Sequence, residues 1–168
     1  NQQKIFDAEK VAIELQVLLE KSVNTIPEEV NEFLEKNKES FRLLADNRSP
    51  QLIKVFAKTV QNNHTEIAKT LIEYCKDYPR FMRDSFEKAV FNNNKAMFDI
   101  MLPHMLKDTK SMSNAFGQAV SKDNKAMFDT MLPHITADKI YMQELKDVAL
   151  GKGYNEMAVE IQNHRECS

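Results

Sequence analysis

Glycine occurs three times and cysteine twice in 168 residues, and no apolar run approaches the roughly 20 residues that a membrane span needs. Each shortage excludes something. Two cysteines cannot build a disulfide framework: Cys75 falls on a core-facing helical position and Cys167 lies at the tail. That pattern suits a reducing compartment. So few glycines leave no Gly-rich phosphate loop, and H-E-x-x-H, C-x-x-C and G-x-S-x-G are missing as well. No enzyme chemistry, cofactor or metal is therefore expected. An excess of positive charge is also missing. The net charge is −2 and the sequence pI about 6.1, which argues against a nucleic-acid binder. Apolar content of 42% with 29% charge still describes a globular chain, and its length suits one domain with a core.

What the chain does contain is the same segment twice. Residues 86–105 read FEKAVFNNNKAMFDIMLPHM, and residues 116–135 read FGQAVSKDNKAMFDTMLPHI. The offset is 30 residues and 13 of 20 positions are identical. A fixed period in this range marks a solenoid. The register extends both ways. Phe56, Phe86 and Phe116 form one column, and Leu52, Met82, Met112 and Met142 another. Val60, Val90, Val120 and Leu150 align, as do Thr59, Ala89, Ala119 and Ala149. Further along, Ile67, Met97, Met127 and Met157 share a column, and so do Leu71, Met101, Met131 and Ile161.

Within a unit the spacing is helical. Leu52, Phe56, Thr59 and Val60 fall on one helix face, and Ile67, Ala68, Leu71 and Ile72 on a second. Polar breaks separate the two helices: Asn62-Asn63-His64, Asn92-Asn93-Asn94, Lys122-Asp123-Asn124 and Lys152-Gly153-Tyr154. Four helix–turn–helix units are predicted, near 51–80, 81–110, 111–140 and 141–168, in one continuous domain over 49–168. The nine methionines mostly sit in core columns, where their flexibility fills gaps.

Residues 4–22 are expected to form a helix with Ile5, Ala8, Ala12, Leu15 and Leu19 on one face and Val11 and Leu18 widening it. Thr25-x-x-Glu28 reads as a capping box with Pro27 in the first turn. Val30, Phe33, Leu34, Phe41 and Leu44 continue at helical spacing, with a break near Asn37. This part matches no repeat column, so residues 1–48 are read as an N-terminal helical cap. Ser49 is the expected N-cap of the next helix, with Pro50 at its first position. Pro79, Pro103 and Pro133 are expected to stop the second helices. The fourth unit reads as terminal, because Lys146 replaces the column phenylalanine and Gln162 replaces Ile72, Leu102 and Leu132.

The fourth unit, Ala149-Leu-Gly-Lys-Gly153-Tyr-Asn-Glu156-Met157-Ala-Val-Glu-Ile161, resembles the ankyrin repeat. It has the small residue in the first helix, Gly at the turn, then Glu and branched apolar residues. Asn or Asp at the turns of the other units fits, since both tolerate the left-handed backbone. The period is 30 rather than about 33, and Thr-Pro-Leu-His is absent, so the units are degenerate. A different helical-hairpin solenoid is the alternative. The resemblance implies an all-α solenoid that binds a protein partner without catalysis, as a monomer in the cytoplasm. The second reading is a substrate-recruiting or regulatory domain of a larger secreted bacterial effector or enzyme, working in a host cytosol.

Two sets of residues are site candidates. His104, His134 and His164 share a column with Tyr74. A metal or pH-sensing ladder is one reading. Helix C-terminal imidazoles bonding orphan carbonyls is the preferred one. The second set lies opposite the core columns of the first helices: Lys54, Lys58 and Gln61, then Asp84, Lys88 and Phe91. It continues with Asn114, Gln118 and Ser121, then Glu144, Val148 and Gly151. In ankyrin-like stacks the first helices line the concave side, so the resemblance makes Lys54, Lys58, Asp84, Lys88, Phe91, Asn114 and Gln118 partner-binding candidates. Phe91 is the expected anchor, since aromatics flanked by lysine are common at interfaces. The competing reading packs it against its own turn or the loop after Pro79.

Overall fold

The computed structural model describes residues 1–21 and 27–167 and is all-helical over them. The α-helices among these residues are α1 (Gln2–Glu20), α2 (Pro27–Lys36), α3 (Lys38–Asp46), α4 (Pro50–Gln61), α5 (Thr65–Cys75) and α6 (Arg83–Phe91). They continue with α7 (Lys95–Met105), α8 (Thr109–Ser121), α9 (Lys125–Met131), α10 (Lys139–Gly151) and α11 (Asn155–Cys167). Short 3-10 helices occupy Pro79–Met82 and Leu132–His134. The chain divides into two compact units, Asn1–Ser85 and Phe86–Ser168.

The helix starts follow from local chemistry. Ser49 Oγ accepts from Gln51 N–H at 3.2 Å, with Pro50 at the first helical position, as expected. Asn94, Asp108, Asn124 and Asp138 cap α7 to α10, each accepting a backbone N–H three residues on. Such a cap satisfies a donor that has no intrahelical partner. The expected capping box at Thr25 and Glu28 has its threonine outside the described residues.

The ends of α4, α6, α8 and α10 share one turn. His64 N–H donates to Thr59 O and Asn63 N–H to Val60 O, at 3.0 and 3.1 Å. The same pair of bonds recurs 30 residues on each time: Asn94 to Ala89 with Asn93 to Val90, Asn124 to Ala119 with Asp123 to Val120, and Tyr154 to Ala149 with Gly153 to Leu150. This is the Schellman motif, which needs a left-handed residue just past the helix. Asn63, Asn93, Asp123 and Gly153 supply it, at φ of 56°, 55°, 54° and 80°. The turn after α3 repeats the pattern with Arg48 at φ 53°.

In the first unit, α1 lies on α3 and α4, α3 lies on α5, and α4 and α5 form a hairpin. Ala8, Ala12, Leu15 and Leu19 are the buried face of α1, while Ile5, Val11 and Leu18 are half-buried. They join Phe41, Leu44, Leu52, Phe56 and Leu71 in the core. Phe81, on the first 3-10 helix, packs edge-on to Phe56 with centroids 4.9 Å apart. Thr59, the one polar member of its column, is buried and donates its hydroxyl to Val55 O at 2.8 Å. Helices α2 and α3 break at Asn37, whose side chain donates to Phe33 O.

The second unit holds the two near-identical segments, and they pack alike. Phe86 stacks on Phe98 at 5.5 Å, and Phe116 stacks on Phe128 at 4.9 Å. Helix α8 pairs with α9, α10 pairs with α11, and α8 lies on α10. Lys125 of α9 reaches Asp129 at 2.6 Å and Glu160 of α11 at 2.9 Å. Lys146 and Gln162, the two polar replacements of the fourth hairpin, bond each other at 3.0 Å.

Three expectations are corrected. Pro103 lies inside α7, which runs on to Met105, whereas Pro133 falls in a 3-10 turn after α9 has ended. A proline this late removes only one bond from the final turn. The residues after each proline then decide the outcome. Met105 and Leu106 favour a helix, whereas β-branched Ile135 and Thr136 favour extended backbone, and Ile135 sits at φ −82°, ψ 124°. Leu150 does not share the burial of Val60, Val90 and Val120. It is 49% exposed, because α8 and α11 are the main neighbours of α10 and Leu150 stays on its open side. The segment after Pro79 is not an irregular loop either, since Pro79–Met82 is helical and buries Phe81 and Met82.

Candidate functional site

Helical periodicity puts the candidate binding residues on the face opposite the core columns. Lys54, Asp84, Asn114 and Glu144 are all exposed, and so are Lys58, Lys88 and Val148, with Gln118 half-exposed. Lys54, Lys58 and Asp84 belong to the first unit. Lys88, Phe91, Asn114 and Gln118 belong to the second.

In the second unit the turns build a small, ordered patch. Phe91, the last residue of α6, is 48% exposed, and the Lys122 ammonium lies 3.9 Å from its ring centroid. Asn124 Nδ2 donates to Asn93 Oδ1 at 2.9 Å, and Lys152 Nζ donates to Ser121 O at 3.1 Å. Each link joins a residue to one 31 positions earlier, so each turn rests on the turn before it. The left-handed backbone makes this possible by aiming both neighbours of Asp123, namely Lys122 and Asn124, back at the preceding hairpin. Cation–π contact at an exposed ring contributes about 0.5–1 kcal/mol. Phe91 is thus presented among the lysines Lys88 and Lys122. Sequence periodicity located Phe91 but not the ammonium above it. The available signal was a lysine at an offset of 31 where the core columns repeat at 30.

The histidine column does not act as a unit. His104 is half-exposed within α7 and His134 is exposed in the 3-10 turn. His164 Nε2 lies 2.9 Å from Ile135 O, and a carbonyl only accepts, so the proton sits on Nε2. This contact goes to a carbonyl of the preceding hairpin and not, as expected, to an orphan carbonyl at the end of its own helix. Among the described residues there is no group of three or more His, Cys, Asp or Glu side chains able to hold a metal ion. No described helix is long and apolar enough to cross a membrane.

Comparison with known proteins gives no match: no family model, no curated protein and no solved structure is similar to this chain.

Proposed function

We propose that the chain is a protein-binding module, a degenerate ankyrin-like solenoid of four helix pairs behind a helical cap formed by residues 1–48. It recruits a protein partner through the exposed face of its first helices. The observation that carries this reading is the ordered aromatic at Phe91, held half-exposed under an ammonium on a face otherwise lined mostly by polar and charged side chains. A large, pre-positioned aromatic contributes contact area at little entropic cost on binding, and truncating such an anchor costs about 2 kcal/mol or more. The 30-residue recurrence of the Schellman turn, and the side-by-side packing of α8 on α10, support a stack of equivalent hairpins.

Photo-cross-linking tests this in lysate of the source cells. A benzophenone side chain at position 91 should capture one dominant protein. Lys88→Ala should weaken that capture while circular dichroism stays unchanged. Capture that is equally strong from position 91 in Lys88→Ala, or that occurs only from positions on α1 or α2, moves the site off this face.

A further inference from the structure

The first turns of α4 and α6 border a small cavity in the first unit. Its volume is about 230 Å³, and Arg48, Ile53, Arg80, Phe81, Arg83 and Asp84 line it. Phe81 anchors one wall, because its ring is buried edge-on against Phe56. Arg80 and Arg83 stand on either side of it along the chain, and Arg83 N–H donates to Arg80 O.

The make-up of this wall is unusual. Lysine outnumbers arginine 18 to 5 in the chain, yet three of the five arginines and no lysine line the cavity. The hairpin architecture does not ask for them. At offsets of 30 residues Arg80 gives way to Lys110 and Ile140, and Arg83 to Ser113 and Gln143. Arg48 is kept against the backbone's preference: it sits at φ 53°, where Asn, Asp or Gly closes the same turn elsewhere. A strained residue whose side chain the turn does not need points to a use for that side chain.

Electrostatics narrow what that use is. Arg48 and Arg80 are exposed, and among the described residues neither forms an ion pair. Asp84, the single carboxylate of the lining, forms none either. Arg83 has a partner of its own and is left out of the count. Two guanidiniums against one carboxylate still leave the cavity positive, and the N-terminal ends of two helices add partial positive charge. Guanidinium forks match phosphate oxygens bidentately, which an ammonium cannot do. A space of about 230 Å³ lies below the range of drug-sized ligands and suits one compact anion.

We propose that this cavity binds a dianionic phosphate group, with Arg48 and Arg80 donating to its oxygens. A carboxylate, with a single charge, gains less from two guanidiniums. Asp84 opposes the anion and so limits its affinity. The site needs nothing from the Phe91 face, so either can fail without the other.

Calorimetric titration of the full chain tests this with inorganic phosphate, O-phosphoserine and a Gly-Gly-phosphoserine-Gly-Gly peptide. At least one should bind at a 1:1 ratio, and more weakly as salt rises, since exposed charges are screened. Tightest binding of the phosphopeptide would make the source a modified side chain of a partner. Tightest binding of inorganic phosphate or O-phosphoserine would make it a free small molecule. Arg48→Asn and Arg80→Gln should each weaken binding about tenfold, the loss of charge-assisted hydrogen bonds. Arg48→Asn should do so without lowering the urea midpoint, because asparagine holds the same turn at positions 63 and 93. Asp84→Asn should tighten binding. Lys4→Gln with Lys21→Gln removes two charges elsewhere and should leave affinity unchanged. No saturable binding of any of the three ligands would overturn the proposal. So would equal binding of the unphosphorylated peptide, an unchanged affinity in Arg48→Asn and Arg80→Gln, or a loss as large in the Lys4/Lys21 variant. Tighter binding of oligothymidylate, lost in the same two arginine variants, would name a nucleic-acid backbone as the ligand and overturn it too.

Discussion

A methyl group on Gly117 would stand 2.6 Å from the hydroxyl oxygen of Tyr141. The glycine is therefore the space in which Tyr141 donates to Ser113 O, at 2.7 Å, tying α10 to α8. Gly117→Ala should destabilise the chain by roughly 1–3 kcal/mol, although alanine alone would favour the helix by up to about 1 kcal/mol. Tyr141→Phe should cost about 1 kcal/mol by itself. In the double variant the clash is gone, so the losses should not add. A denaturant-melt cycle showing additivity would mean that the hydroxyl is not what excludes a side chain at position 117.

Arg48 holds the left-handed position that Asn63, Asn93, Asp123 and Gly153 hold elsewhere, and arginine is the worst suited of the five. Arg48→Gly should stabilise by about 1 kcal/mol, and Gly153→Ala should destabilise by a similar amount. Urea midpoints moving in the same direction for both would contradict the backbone assignment.

Phe86→Ala and Phe116→Ala should each cost roughly 3–5 kcal/mol, since both rings are fully buried and each loses its stacked partner. Calorimetry or chemical melts measure this. A loss well under 1 kcal/mol in either would remove that ring from the core.

Burial lifts the Cys75 thiol to about 12 from its ordinary 9.0, against the guanidinium of Arg42, which pulls it down. Below about pH 8 the thiol is neutral in both folded and unfolded chains, and its contribution is complete. Above that, only the unfolded chain ionises, so stability falls as pH rises toward 12 by up to about 1.4 kcal/mol per unit. Tyr74, partly open to solvent and so partly screened, adds a smaller loss starting from its own ordinary value of 10.0. Between about pH 8.5 and 10 the chain should thus lose on the order of 1 kcal/mol, and Cys75→Ala should flatten that segment. An equal slope in both chains would assign the loss to other groups.

The helices and their turns were legible because each rests on local chemistry. Apolar columns set the buried faces, and Asn, Asp or Gly at 63, 93, 123 and 153 marked the left-handed turns. Less legible was anything depending on what a residue meets far along the chain. Leu150 matched its column in sequence and still lies exposed, because burial needs a neighbour and not only a period. The two Leu-Pro-His copies end differently because Met105-Leu106 succeeds one and Ile135-Thr136 the other. The exposed face, including Phe91, came from the same periodicity. The bond between α2 and α5 had no repeat counterpart to betray it, since Glu35 lies 39 positions from Tyr74 and outside the repeats.

The rung between Asn93 and Asn124 bears on how such a chain can lengthen. Donor and acceptor sit on neighbouring steps of one turn motif, so a gene slip copying a 30-residue block would hand the new hairpin a ready-made partner below and offer one above. Growth by duplication then needs no fresh interface. The 13 identities between residues 86–105 and 116–135 are what such an event leaves behind while later substitutions, such as Phe91 against Ser121, give each copy its own surface.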